Sequence, residues 1–316
     1  MTNFWQRLPK PFTVLAPMDG VTDVAFREVL FRAARPDVFF TEFTSSEGLL
    51  SRGRERLLRN FVFNKAEHPI VAQIWGSTPA AFTEAARTVK DLGFDGVDIN
   101  MGCPVRGVIA HHSCSYLITD EKLTADIVAA TKEGAGDMPV SVKTRIGFNK
   151  IDTERWFSFL LGQNLAAITV HGRVASQLSK YPANWEEIGK VAKLRDELSL
   201  STIIVGNGDV KSYADVVKRS EETGVDGVMI GRGVFENLWC FEKPLDSVEH
   251  TEGEKIEMFR YHIANYQEYF GETRDFNMLK KFTKVYINGF PGASELRQKL
   301  METQSLAELT EILRKA

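Results

Sequence analysis

The 316-residue sequence is poor in cysteine: Cys103, Cys114 and Cys240 are its full complement, odd in number and not spaced as a disulfide framework. That usage suits a reducing compartment and excludes a small, stapled secreted fold. Long apolar runs are missing as well, so no membrane span is expected. The start, MTNFWQRLPKPFTVLAPM, has no sustained apolar core between a basic head and a small-residue cleavage site. The expected setting is the cytoplasm. Positive charge is not in excess either, since 39 Lys and Arg face 42 Asp and Glu for a net charge of -3. A protein of this balance can meet nucleic acid only through a local patch. There is no low-complexity stretch, which excludes extensive disorder. Nor does a G-x-G-x-x-G fingerprint for a dinucleotide follow any candidate strand.

What is present is a regular alternation. Short apolar runs begin at Phe12 (FTVLA), Asp37 (DVFFTEF), Pro69 (PIVAQIW), Gly96 (GVDIN), Pro139 (PVSVKTR), Ala166 (AAITVHG), Thr202 (TIIVGNG) and Asp226 (DGVMIG). Amphipathic stretches separate them. Thr78-Pro79 opens one helix and Gly93 closes it, and Ser212 and Gly224 bound another. Eight strands alternating with helices predict a closed (β/α)8 TIM barrel, an α/β fold, rather than an open doubly wound sheet. Beyond Gly233 the alternation stops, and from about Glu252 the pattern is helical only: EKIEMFRYHIANYQEYF, then FNMLKKFTKVYI, then shorter segments split by Gly289 and Pro291. The reading is a barrel over residues 1–243 and a small C-terminal α-helical domain over 244–316, joined by a polar linker at Pro244 to Gly253.

Active sites of such barrels gather at the carboxyl ends of the strands. Polar residues fall there at every strand: Asp19 after Pro17 and Met18, then Glu42, Gln73, Asn100 with Cys103, Lys143 with Arg145, His171, the Asn207-Gly208-Asp209 loop, and Gly231-Arg232. The last two loops carry Gly206, Gly208, Gly231 and Gly233, whose bare backbone lets N–H groups approach a phosphate while Arg232 adds charge. Two segments are locally basic, Arg52 to Arg59 and Arg274 to Lys299, the latter with Lys280, Lys281 and Lys284. Each is compatible with a solvated helix face. Cys103, His111, His112 and Cys114 have the ligand types for zinc but fit no standard spacing, so no metal is expected.

The strings LAPMDGVTD, TEF, DINMGCPV, VSVKTRIG, VHGR, GNGD, MIGRG and FPGASELR, in this order from Leu15 to Arg297, resemble the tRNA-dihydrouridine synthase family. The resemblance implies FMN held by Pro17, Met18, Asp19, Gln73, Lys143, His171, Asn207, Gly208, Asp209, Gly231 and Arg232. It implies a uracil addressed by Asn100 and Arg145, Cys103 as proton donor, NADPH as reductant and tRNA, or another RNA, as partner. The helical domain would then bind RNA, with Lys280 and Lys281 in contact, and a monomer is expected. Chemistry agrees: Gln73 offers both an amide donor and an acceptor to a flavin edge, and Lys143 supplies a cation where a reduced flavin gathers negative charge. A thiol of ordinary pKa, about 8.5, is mostly protonated near neutrality and can donate as an enolate develops beside Arg145.

Three departures stand out. After GCPV the chain reads RGVIAHHSCSYLI, with His112 and Cys114 where the family has glycines. After HGR it reads VASQLSKYPANW, with Ser179 at a base-contacting position and Tyr181 as the substitute. Phe282 stands where histidine is common. Two other readings stay open on this basis: an FMN-dependent reductase of a small pyrimidine or enone, and a paralogue that binds FMN and RNA but has an altered activity.

Overall fold

The computed structural model describes residues 3–243 and 249–316. Of the expected linker, residues 244–248 lie outside the described residues. Eight parallel strands appear where the apolar runs predict them: β1 (Phe12–Leu15), β2 (Phe39–Phe40), β3 (Ile70–Trp75), β4 (Gly96–Met101), β5 (Val140–Arg145), β6 (Ala167–His171), β7 (Ile203–Asn207) and β8 (Gly227–Ile230). Each of β2 to β7 pairs with the next, and β1 pairs with β8. Between β1 and β2 the ladder narrows to the Val14–Val38 bridge, so the TIM barrel is nearly closed. A two-residue strand, Thr44–Ser45, adds to the edge of β3.

Strand alternation sorts the side chains into two apolar clusters. Leu15, Ala72, Ile99, Val142, Ile168, Ile204 and Val228 pack outward with the surrounding helices. Phe12, Val71, Ala167, Ile203 and Val205 belong to a second cluster inside the barrel, plugged from the amino-terminal end by Phe4 and Trp5. The same inward register then carries Gln73, Asn100, Lys143, His171 and Asn207 to the carboxyl-end mouth. An apolar floor beneath a polar mouth therefore follows from period two along each strand.

Helix ends obey the sequence signals. The Pro79–Asp91 helix starts with proline in its first turn, and Gly93 follows it at a φ of 86°. Ser212 caps the Tyr213–Thr223 helix through the Asp215 N–H, and Gly224 leaves it in the left-handed region.

From Glu252 onward the described chain is helical. The Glu252–Phe270 helix begins with a Thr251/Glu254 capping box. FNMLKKFTKVYI, expected as one helix, instead forms two single turns, Asn277–Lys280 and Thr283–Tyr286. The interruption turns Phe282 inward against Phe26 at 4.7 Å and His262 at 4.8 Å. The histidine-to-phenylalanine departure thus supplies an apolar contact between the tail and the Val24–Ala33 helix. Tyr261 and Tyr269 donate to Glu28 of that helix at 3.2 and 2.8 Å, and Arg274 bridges Asp23 at 2.9 Å and Glu42 at 3.4 Å. No described helix is long and apolar enough to cross a membrane.

Candidate active site

A cavity of about 590 Å³ opens at the carboxyl ends of the strands, within the size range of small-molecule sites. Pro17 and Met18 enter it after β1, Gln73 from β3, and Asn100 and Cys103 from β4 and its loop. Lys143 and Arg145 come from β5, His171 from β6, Asn207, Gly208 and Asp209 from β7, and Gly231 and Arg232 from β8. Asp19, Tyr181, Lys280 and Lys281 do not line it. Tyr181 is 59% exposed at the rim.

The cavity floor is a chain of hydrogen bonds. Ser141 donates to one oxygen of fully buried Asp98 at 2.6 Å, and Gln73 donates to the other at 2.7 Å. Asn100 donates to Gln73 at 3.0 Å and accepts from the N–H groups of Gly102 and Cys103, both at 3.0 Å. Asn100 thereby shapes the Cys103 turn, and Gln73 is left with one amide N–H and one lone pair for a ligand. Burial raises the Asp98 carboxyl to about 6. Asp98 and Ser141 escape a reading that looks only at strand ends. Their signal in the sequence is polarity at inward positions of otherwise apolar strands.

Above this floor lies a cluster of cations, with Arg145 and Arg173 buried and Lys143 half-buried. Lys143 donates to the Asn207 side chain at 3.1 Å, and burial, aided by Arg145, lowers it to about 8. Arg145 donates to the carbonyls of Gly102 at 2.7 Å and Leu178 at 3.0 Å, and burial lowers it to about 10. Burial and the surrounding cations push His171 well below its ordinary value, so its ring is neutral at physiological pH. Arg173, the last residue of the VHGR string, holds Asp209 with two bonds of 2.6 Å and lies 3.1 Å from the His171 ring. Asp209 also accepts from the Ala183 N–H at 2.8 Å. Its carboxylate is therefore already engaged as the tie between the β6 and β7 loops.

The β7 loop needs glycine on steric grounds. Gly208 has a φ of 134°, and a Cβ there would sit 2.5 Å from the Ala183 methyl and 3.4 Å from the His171 ring. At Gly206 a Cβ would come within 2.5 Å of the Trp185 ring. Gly206 thus lets Trp185 pack on the outer face of the strand, while Gly208, with Gly231 and Gly233, lines the cavity with bare backbone, an arrangement that suits an anion.

The Cys103 thiol is more acidic than an ordinary one. A hydrogen bond from the Cys114 thiol is the main cause that lowers it to about 6, with the Val105 N–H and the Arg145 charge adding to the shift. Cys114 is fully buried, and its own thiol is pushed far up. His112 and Cys114 take φ values of 57° and 56°, so these two departures occupy left-handed positions that glycine would fill without strain. His112 stacks on Tyr116 at 4.4 Å. Among the described residues, no three His, Cys, Asp or Glu side chains gather as a metal shell.

Of the C-terminal cations, Lys281, Lys284 and Lys299 are exposed, and others are engaged within the tail. Lys280 donates to the carbonyls of Met301 at 3.0 Å and Thr303 at 2.6 Å, closing the Ala293–Glu302 helix. Arg297 donates to the Ile287 carbonyl at 2.8 Å. Lys281 lies over Phe282 at 5.1 Å, close to the acidic Asp23 and Glu42.

A nearly closed parallel barrel with a polar, cation-lined cavity at its carboxyl-end mouth defines a TIM-barrel enzyme. Residues 14–316 match the family model described as Dihydrouridine synthase (Dus). A probable tRNA-dihydrouridine synthase of Staphylococcus aureus (strain Mu50) is 44% identical over 314 residues, covering 98% of this chain and 94% of that protein. Probable tRNA-dihydrouridine synthase 2 of Bacillus subtilis (strain 168) is also 44% identical, covering 98% and 95%. The structure of morphinone reductase in complex with tetrahydroNAD shares the fold, at a TM-score of 0.51 and 13% identity over 75% of this chain and 88% of that one. The chain belongs to the dihydrouridine synthase family and is an oxidoreductase.

Proposed function

We propose that this enzyme reduces selected uridines of tRNA to 5,6-dihydrouridine in the cytoplasm, with FMN as resident cofactor and NADPH as its reductant. The observation that carries the reading is the convergence on one cavity of a thiol, an amide pair and the two cations Lys143 and Arg145, opposite a glycine-bearing loop suited to an anion. The donor set fits FMN. Gly208, Asn207, Gly231 and Arg232 would hold the phosphate, with Arg173 and Asp209 fixing the loop. Gln73 and Lys143 would meet the ring, and Pro17 and Met18 would flank it. When bound, the flavin supplies the hydride to carbon 6 of the uracil.

The chain's own residues supply the rest. Asn100 and Arg145 would orient the uracil, and the Arg145 charge stabilises the enolate oxygen as it forms. Cys103 would give its proton to carbon 5. Because its thiol is acidic, that step demands the protonated fraction, and exclusion of water by the docked base restores it by desolvation. His171, being neutral, adds no charge beside Lys143. Exposed Tyr181 at the rim and the helices beyond residue 249 would meet the RNA outside the cavity, with the protein acting as a monomer.

The first test is the cofactor. Purified protein should be yellow with about one FMN per chain, and Gly208→Val should lose it, since a side chain there meets Ala183 and His171. Colourless wild-type protein that takes up no added FMN would overturn the reading.

A further inference from the structure

The Cys103 and Cys114 thiols lie near enough to shift one another's acidity in opposite directions, and their positions are unequal. Cys103 faces the cavity, while Cys114 is buried behind it. Their main chains are joined too, because the Ser115 N–H donates to the Cys103 carbonyl at 3.3 Å. A disulfide needs Cα atoms roughly 4.4–6.8 Å apart, and the main-chain bond one residue from Cys114 draws the two backbones together as such a bridge requires. Cys114 also sits at a left-handed position where glycine would be unstrained, so the backbone gives no reason for a thiol there. The third cysteine, Cys240, is fully buried and belongs to the outer core cluster, away from this pair.

We infer that Cys103 and Cys114 form a reversible oxidation site, in which a peroxide converts the pair to an intramolecular disulfide and a dithiol restores it. The Cys103 thiolate attacks one peroxide oxygen. A sulfur–oxygen bond forms, the oxygen–oxygen bond breaks, and the departing oxygen leaves as hydroxide and is protonated to water. Cys103, oxidised by two electrons, is then a sulfenic acid. Cys114 attacks that sulfur; the sulfur–sulfur bond forms, the sulfur–oxygen bond breaks, and the Cys114 proton leaves with the hydroxyl as a second water. A dithiol reverses the change by two exchange steps, itself becoming a disulfide. Cys103 reacts first because it is cavity-facing and readily ionised, whereas Cys114 is shielded and held as the neutral thiol. Cys114 acts as the resolving thiol and spares Cys103 from irreversible oxidation.

Loss of uridine reduction on oxidation rests on the role proposed for Cys103; the disulfide does not. The test treats the purified full-length holoprotein with hydrogen peroxide, traps remaining thiols by alkylation in denaturant, and maps the peptides by mass. Wild type should yield one cross-linked Cys103–Cys114 peptide, lighter by two hydrogens, with Cys240 alkylated, and dithiothreitol should return both thiols and activity. Cys114→Gly should instead carry Cys103 to the sulfinic state, which dithiothreitol does not repair. Cys114→Ser, closer in size to the native side chain, should do the same if the glycine variant folds poorly. Sulfinic Cys103 beside alkylated Cys114 in wild type, or equal over-oxidation of wild type and both variants, would overturn the inference. A disulfide that forms and reverses without changing uridine reduction would uphold the site and overturn the catalytic role of Cys103.

Discussion

Basic residues of the barrel mouth and of the C-terminal helices look alike in sequence, yet the structure uses them differently. At the mouth, half-buried Lys143 and buried Arg145 are weakened as cations and line one cavity with Cys103. In the tail, Lys280 and Arg297 spend their donors on main-chain carbonyls, and Arg274 is committed to Asp23 and Glu42. The first group is arranged for a ligand, whereas in the second Lys280 and Arg297 tie the tail helices to one another and Arg274 ties the tail to the barrel. Desolvation is tolerated where a bound anion or developing charge returns the energy, and at the tail lysine Lys281 it is offset instead by the acidic Asp23 and Glu42.

The contrast between mouth and tail is broken most severely at the thiol. Cys103→Ala should retain FMN and reduction of the flavin by NADPH, while dihydrouridine formation in tRNA falls by roughly two to four orders of magnitude. An unchanged rate would move the acid elsewhere. Arg145→Ala should cost about 10²–10³ in single-turnover rate if it stabilises the enolate, and no tail substitution should approach that. A loss confined to tRNA affinity would instead make Arg145 an RNA-binding residue.

Acidity sharpens the same contrast. Cys103 must be protonated to donate, and its thiol sits at about 6, so kcat/KM should decline as pH rises through 6. It should fall further above about 8, where Lys143 loses its charge. Cys114→Gly removes the donor that favours the thiolate, so the first limb should shift upward, toward the ordinary thiol value of about 8.5. A limb that stays in place would show that Cys114 does not set the acidity of Cys103.

Smaller effects are expected in the tail. Lys284→Glu with Lys299→Glu should flatten the salt dependence of tRNA binding, by roughly 0.9 in log–log slope for each phosphate no longer neutralised, with flavin content unchanged. Lys280→Ala should lower the melting temperature by about 2–4 °C, as a deficit of roughly 1 kcal/mol in helix-end bonds implies. If Lys280→Ala weakens RNA binding at constant stability, the tail lysine belongs with the ligand-directed group after all.

Much of this is legible in the sequence because it is local. Strand runs, the Ser212 and Gly224 helix ends, and the polar strand ends that reach the mouth all follow from periodicity and caps. His112 and Cys114 stand out as side chains where bare backbone belongs, and both have positive φ. Pairings across the fold are not legible. That Asp98 anchors Gln73 and that Arg173 occupies Asp209 depend on which strand ends come together, and that Cys114 approaches Cys103 depends on how the loop after β4 folds back on itself. The two-turn form of FNMLKKFTKVYI is hidden for the same reason, since Phe282 is drawn inward by Phe26 and His262 of other elements.

The most direct test incubates purified wild-type protein, FMN and NADPH with unmodified tRNA transcripts and weighs the nucleosides after digestion. Uridine heavier by two hydrogens, formed in wild type and nearly absent with Cys103→Ala, is the result predicted. Flavin that NADPH reduces while no dihydrouridine appears on any tRNA would contradict the account and leave an FMN-binding paralogue of altered activity.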